Sequence, residues 1–310
     1  MLKENLVEKM GWIMNKIFIP PIKCQGIKSK LVPEIRYIVN GTDYKRWIEP
    51  FMGSGVVGFN LRPDKAIFAD NNPHLIRFYI DMTNNIINPI TVKKYLQEEG
   101  QLLEKSEGDH FYTVRERFNK EPNSFDFLFL NRACFNGMMR FNSKGGFNVP
   151  FCHKPNRFAQ AYITKIVNQV KNIQEIIKFK KYSFIYQTFH DTLKETEKSD
   201  LIYCDPPYIG RHVDYFDSWN ENQEFLLHDL LINSGANFIL STWHSNEFRK
   251  NTYLNTVWGG LHVLTKEHFY HVGATEENRN PILEALVTNF YFKPPQKTYA
   301  ENPQLQLALA

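Results

Sequence analysis

No pair of cysteines in this 310-residue chain stands in a C-x-x-C arrangement. The four cysteines, Cys24, Cys134, Cys152 and Cys204, lie far apart, which argues against a zinc ribbon or a disulfide-stapled scaffold and for a reduced, cytoplasmic setting. No metal site is expected. No apolar run approaches the length of a bilayer span, and the N-terminal stretch MLKENLVEKMGWIMNKIFIPPIK carries Glu4 and Glu8 where an export signal needs a continuous apolar core. Neither a membrane partner nor export is expected. Internal repeats and low-complexity tracts are missing too, which removes solenoids and disordered arrays. The formal net charge is only +4, too little to identify a polyanionic partner by itself. With 43% hydrophobic and 23% charged residues, the chain is ordinary globular material, long enough for one large domain or one domain carrying an insertion.

The stretch EPFMGSGVVGFN places Gly53, Gly55 and Gly58 in a G-x-G-x-x-G pattern. Such a loop lets a backbone approach a nucleotide at a strand-to-helix turn, but a simple packing turn uses the same glycines. Next, KAIFADNNPHLIRFYIDM reads as a strand ending in Asp70, an Asn-Pro turn and a helix with Leu75, Phe78 and Tyr79 on one side. Further on, AYITKIVNQVKNIQEIIK sets Ile163, Ile166, Val167, Val170, Ile173 and Ile177 on one helical stripe, followed by the strand-like runs YSFIYQ, DLIYCD, NFILST and EALVTNFYF. This alternation predicts an α/β fold: a mostly parallel sheet covered by helices, with ligands at the carboxyl ends of the strands. Residues 82–158 break the rhythm and read as an inserted second domain between the two parts, 14–81 and 159–293, of a first. Residues 1–13 form an N-terminal extension, and 294–310 form a tail behind a Pro pair.

The run LIYCDPPYIG puts Asp205, Pro206, Pro207 and Tyr208 directly after an apolar strand, where such a sheet presents its reactive groups. An exocyclic amine on a nucleobase is a poor nucleophile because its lone pair is delocalised into the ring, so a catalyst must draw the nitrogen toward tetrahedral geometry with hydrogen-bond acceptors. The Asp205 carboxylate and the Pro206 carbonyl can each take one N–H, the Pro pair fixes the backbone so that both point the same way, and Tyr208 offers an aromatic face. No cysteine follows a proline, which excludes the covalent route of cytosine C5 methylation and the P-C-x-x-C zinc chemistry of base deaminases. Cys204, inside the apolar strand, is expected to point into the core.

The segment NRACFNGMMRFNSKGGFNVPFCHKPNRF interleaves Arg132, Arg140, Lys144, Lys154 and Arg157 with Asn131, Asn136, Asn142 and Asn148, plus Phe135, Phe141 and Phe147. Cations suit phosphates, Asn amides suit adenine edges and Arg suits guanine. The set as a whole reads as a nucleic-acid surface.

In order and content, these motifs resemble the Dam-like class of amino-group DNA methyltransferases. The resemblance covers most of residues 18–292, through PPIKCQGIKSKL, the F-x-G-x-G of Phe51, Gly53 and Gly55, ADNNPHLI, FLFLNRACFNGMMRFNSKGGFNVPF and CDPPYIGR. Within the class, NRFAQAYITKI and KEHFYHVGA resemble the EcoRV-type modification enzymes. The resemblance implies a class I methyltransferase fold with a Rossmann-like sheet and an inserted, mainly helical target-recognition domain, S-adenosylmethionine as methyl donor, and transfer to N6 of a flipped adenine in double-stranded DNA. It implies Lys28, Phe51, Gly53, Gly55, Asp70, Phe189 and Asp205 at the donor, with Lys28 near the donor carboxylate, Asp70 near the ribose hydroxyls and Phe189 over the adenine. Cys24 stands where relatives often carry Trp. Phe135 and Asn136 are implied to enter the duplex and hold phosphate, Arg140 to read a base and Pro150 to touch a thymine methyl. Lys23, Arg132, Asn142, Lys144, Asn148 and Lys154 complete the DNA-facing set, and His153 replaces a position that is often basic. Asp as the first motif residue accompanies adenine in the family, where Ser is commoner for cytosine. A restriction–modification or phage setting, a GAT-containing target such as GATATC and a monomer or weak dimer are the remaining expectations. The tail QLQLALA resembles peptides that bind sliding clamps. The competing readings are an N4-cytosine or RNA-directed enzyme of the same fold, and a non-catalytic DNA-binding protein on this scaffold.

Overall fold

The computed structural model describes residues 16–209, 219–247, 249–269 and 281–292. Seven strands form one sheet: β1 (Arg46–Glu49), β2 (Lys65–Asp70), β3 (Lys181–Tyr186), β4 (Asp200–Cys204), β5 (Asn237–Ser245), β6 (His262–Phe269) and β7 (Pro281–Thr288), in the order β3-β2-β1-β4-β5-β7-β6. The first five run parallel to one another, and β7 runs antiparallel between β5 and β6. This is the mostly parallel, helix-covered sheet expected from the alternating pattern.

Strand β4 explains the apolar run in its sequence: all five of its residues are buried, as a central parallel strand covered on both faces requires, and Asp200 at its start is met by Arg46, which donates to both of its carboxylate oxygens. Leu201 and Tyr203 join the apolar layer that contains Trp47, Phe59, Phe68 and Tyr79, while Ile202 and Cys204 join the opposite layer with Phe238, Leu227 and Trp258. Cys204 points into that core as the strand period demands. The sequence reading missed two strands. β1 has only the four residues RWIE before a proline, too few to display a period. β6 is HVLTKEHF, whose charges suit the sheet edge it occupies but disguise it as a loop. The last strand stops at Thr288 rather than running on through NFYF, because Asn289 turns back to the sheet, its side chain accepting from Phe238 N–H and donating to the Ala236 carbonyl, both at 2.8 Å.

Between β2 and β3 the chain is helical, with α1 (Val32–Val39) and α2 (Val56–Leu61) having come earlier. It passes through α3 (Pro73–Thr83), α4 (Pro89–Lys105), α5 (His110–Lys120) and α6 (Ser124–Ala133), then an irregular loop, then α7 (Gln160–Lys178). Asn72, Asn88 and Asn123 begin three of these helices by accepting backbone N–H groups with their side chains, the standard answer to the orphan donors of a helix start. The apolar side chains of this segment, among them Val92, Leu96, Phe111, Phe118, Phe127 and Phe129, are continuous with the layer over the sheet. Stripe residues Ile163, Ile166, Val170, Ile173 and Ile177 of α7 are buried as the spacing requires. A polar network crosses this helical region, with Arg117 donating to both carboxylate oxygens of Asp126 at 2.9 and 2.6 Å and standing 3.3 Å from Glu99. Three further helices among the described residues, α8 (Phe189–Lys194), α9 (Glu221–Ser234) and α10 (Tyr253–Thr256), contribute Leu193, Leu227, Leu231 and Leu254 to the opposite layer.

The three loop glycines do different work. Gly53 and Gly55 have φ of +49° and +71°, a left-handed turn that a side chain resists. Gly58 lies inside α2, where an added Cβ would come within 2.4 Å of Phe68 and 2.7 Å of the Glu49 carboxylate. It lets helix and sheet touch. Gly58→Ala is therefore expected to cost about 1–3 kcal/mol as an overpacked core position, measured by chemical denaturation; an unchanged midpoint would refute the packing role.

Candidate active site

The carboxyl ends of β1, β2 and β4 open into a cavity of about 510 Å³. Glu49 ends β1, Asp70 ends β2, and Asp205 follows β4; all three line the cavity together with Lys28, Gly53, Phe51 and Phe189. The sequence-predicted donor site is thereby one place in space, except that Gly55 lies behind the wall, where an added Cβ would meet Phe59 and Met52. Asp70 shapes the loop as well as the cavity, since its two oxygens accept from the N–H groups of Gly53 and Asn72 at 2.9 Å each. Burial outweighs these bonds and raises its pKa to about 6. Glu49 is more extreme: desolvation lifts its pKa to about 8 against the N–H donors of Trp47 and Gly58, so it is mostly a neutral acid at pH 7.

Asp205 keeps 21% of its side-chain surface open, and Lys28, only 5% open, places its ammonium 2.9 Å from the carboxylate. The same ammonium donates to the Gly26 carbonyl at 2.8 Å and lies 5.0 Å from the centre of the Tyr208 ring. Burial raises the Asp205 pKa to about 6; Lys28 opposes the rise and Glu284 adds to it. Lys28, expected at the donor carboxylate, is thus paired with the carboxylate of the motif itself while still lining the cavity. Sequence reasoning missed Ser241, a buried hydroxyl that follows the Cys204–Leu240 pair on β5. Its signal was available: Leu240 pairs with Cys204 across β4 and β5, so the next residue of each strand, Ser241 and Asp205, must be neighbours.

At the other end of the cavity the walls are aromatic. Phe51 and Phe189 stack with ring centres 5.3 Å apart, and Trp219 meets Phe51 edge-on at 5.5 Å and Phe189 at 5.3 Å. Trp219 was not foreseen from the sequence. Such a pairing of flat apolar walls with a polar far end suits a ligand that is aromatic at one end and charged at the other.

The residues assigned to DNA divide in two. Phe135, at 50% exposure, stands on the surface with Asn136, Asn142, Lys144, Pro150 and Lys154. All but Lys154 belong to a loop closed by bridges between Cys134 and Phe151 and between Phe141 and Phe147, and Met139 of the same loop lines the cavity. Within it, Asn142 accepts from the N–H groups of Lys144 and Gly146, and Arg140, half-buried, donates to the Asn148 side chain at 2.9 Å. Arg132 departs from the expectation. It is 2% exposed, donates to the Pro21 carbonyl and to Gln169, and lies over the Tyr162 ring; a guanidinium so enclosed is an interior strut, unavailable to a phosphate. Lys23 is half-buried against Gly137, and its pKa is lowered to about 8 by burial, then by Arg157 and Arg132. Asn131 holds the Lys23 backbone by accepting its N–H at 2.8 Å and donating to its carbonyl at 2.9 Å.

Comparison with known proteins agrees with this geometry. The family model of D12 class N6 adenine-specific DNA methyltransferases matches residues 25–272. A DNA adenine methylase of Serratia marcescens is 30% identical over 252 residues, covering 75% of this chain and 86% of the relative. The type II methyltransferase M1.LlaDCHI of Lactococcus lactis subsp. cremoris is 27% identical over 300 residues, covering 92% and 99%. A DNA adenine methylase of Salmonella typhi is 32% identical over 196 residues, covering 60% and 64%. An α/β sheet with a glycine loop over a cavity, an Asp-Pro-Pro-Tyr at its rim and a family match across most of the chain lead to one statement: this chain is a member of the D12 class of N6 adenine-specific DNA methyltransferases, with S-adenosylmethionine as its methyl donor.

Proposed function

We propose that Asp205, Pro206, Pro207 and Tyr208 form the amine-binding and catalytic centre of this adenine methyltransferase, and that the loop 134–151 with Lys23 and Lys154 forms its DNA-facing surface. The ion pair of Asp205 with Lys28 on the cavity rim is the observation that carries the reading. It sets a charged acceptor where β4 ends, beside the donor cavity.

The cavity residues fit S-adenosylmethionine. Phe51, Phe189 and the open side of Gly53 suit its adenosine, Asp70 retains lone pairs for ribose hydroxyls, and Lys28 offers the cation for its carboxylate end. Bound there, it supplies a methyl group activated by a sulfonium. The work of the chain is then positional. Asp205 and the Pro206 carbonyl accept the two N–H groups of adenine N6, turning its lone pair out of the ring plane. Tyr208 stacks on the base. Lys28 keeps Asp205 ionised and aimed. No covalent enzyme intermediate is needed, because the amine itself is the nucleophile and loses one proton to an acceptor or to water.

Removing the target adenine from a duplex costs a few kcal/mol of unstacking, and exposed Phe135 and Asn136 are the residues placed to offset it. Arg140, held by Asn148, is suited to base reading and Lys144 to phosphate. The target is a GAT-containing site such as GATATC, by resemblance to EcoRV-type enzymes through NRFAQAYITKI; the other stretch of that resemblance, KEHFYHVGA, lies partly outside the described residues. The likeness to a type II methyltransferase supports a role in restriction–modification, and such a role belongs beside cytoplasmic DNA. Among the described residues no helix is long and apolar enough to cross a membrane. The clamp-like tail also lies outside the described residues.

Asp205→Ala is expected to slow single-turnover methylation by at least about a hundredfold, the scale of losing a positioned polar group in a transition state, with DNA affinity changed only a few-fold. A variant methylating near the wild-type rate would sink the mechanism. Because the carboxylate is the accepting form and its pKa lies at about 6, the wild-type rate should fall as pH drops through that value. Lys28→Met removes the charge that opposes burial, so the same limb should move to higher pH; a midpoint that stays or moves down contradicts the pairing. For specificity, Arg140→Ala should lose about 1–3 kcal/mol of discrimination at one base pair, read by sequencing methylated sites. Lys144→Ala should weaken binding to all sequences and flatten its salt dependence.

A further inference from the structure

Trp219 lies one residue before the cap of α9. Asn220 accepts the Gln223 N–H and Gln223 accepts the Asn220 N–H, both at 3.1 Å, a reciprocal box that fixes how the chain enters the helix. In such an entry the residue before the cap faces the fourth residue of the helix, usually through an apolar contact. Here those residues are Trp219 and Glu224, and the contact is polar. The Trp219 indole donates to one oxygen of the Glu224 carboxylate at 2.6 Å, and the Trp258 indole donates to the other at 2.7 Å. Glu224 is 5% exposed and Trp258 is 1% exposed. The carboxylate therefore ties a ring on the cavity wall to a ring locked in the core.

We propose that Trp219 is a third wall of the adenine subsite of the methyl donor, and that Glu224 is the positioning residue that holds it there. Trp219 meets both Phe51 and Phe189 within 5.5 Å, and Gln223 and Leu226 of the same helix start line the cavity beside it. Three rings set at different angles enclose a flat heterocycle by face and by edge, whereas two stacked rings alone leave a side open. The carboxylate serves because each oxygen accepts one indole N–H with a charge-assisted bond. A neutral amide presents one acceptor to two donors.

This inference rests on S-adenosylmethionine as the cavity's ligand, and its test separates the two. Calorimetry would measure binding of S-adenosylmethionine, S-adenosylhomocysteine and methylthioadenosine to wild type, Trp219→Ala, Trp219→Phe, Glu224→Gln and the double variant Trp219→Phe/Glu224→Gln, with thermal melts to show that each is folded. The three ligands share only the thioadenosine portion, so Trp219→Ala should weaken all of them by a similar factor of at least about five, the scale of losing one stacking wall. Trp219→Phe should weaken them less. Glu224→Gln should weaken binding in the wild-type background and add little in the Trp219→Phe background, where the N–H it holds is gone; DNA affinity should not move. Trp219→Ala binding all three ligands within about twofold of wild type overturns the wall while leaving the donor reading intact. Equal losses from Glu224→Gln in both backgrounds overturn the positioning role. Wild type binding none of the three overturns both the donor reading and the proposal.

Discussion

A carboxylate at the end of a fully buried strand must stay charged to accept hydrogen bonds, and burial works against that charge. In this chain the conflict is met by one ammonium, that of Lys28, 2.9 Å from Asp205. Much of the surrounding structure follows from keeping that contact. Gly26 bends the chain so that its carbonyl receives the same ammonium, and the strand register brings Ser241 of β5 alongside. A buried pair of this kind stabilises little by itself, but losing one partner strands the other at a cost of several kcal/mol. The pair defines where the site is.

The acids around the cavity divide by environment. Glu49, Asp70 and Asp205 all end parallel strands, and burial raises each of them. Their partners differ. Glu49 has only N–H donors and is held mostly neutral, Asp70 has two backbone donors that also fix the glycine loop, and Asp205 has a cation. Only the last combines burial with a full opposite charge, which suits it to accept from an amine near neutral pH.

Much of this was legible beforehand. The apolar run before Asp205, the glycine loop and Asp70 announced their positions because each obeys a strong local rule: a central parallel strand carries a continuous apolar run, a left-handed turn needs Gly, and an acid ends the following strand. What escaped was set by tertiary context. β6 is strand only because β7 pairs with it, Arg132 looked like a DNA contact because charge normally means surface, and Trp219 gives no periodic signal from outside a regular element. Its neighbours do carry one: an Asn followed three residues later by Gln marks a helix start, and the residues flanking that box are the ones that touch. Ser241 was likewise readable from strand register but not from strand sequence.

The helical segment between β2 and β3 shares its core with the sheet, and Asn131 grips the backbone of Lys23 on both sides. Side-chain amide and main chain are paired there as two strands would be, so the segment Pro21–Lys23 and the loop that follows α6 form a single woven piece. A loop tied in this way does not behave as an interchangeable cassette. Gly137 of the loop closes on the Lys23 side chain, where an added Cβ would come within 2.5 Å, so under the DNA-facing reading proposed above a new loop with any other residue there has to travel with a compensating change at position 23, far upstream in the chain.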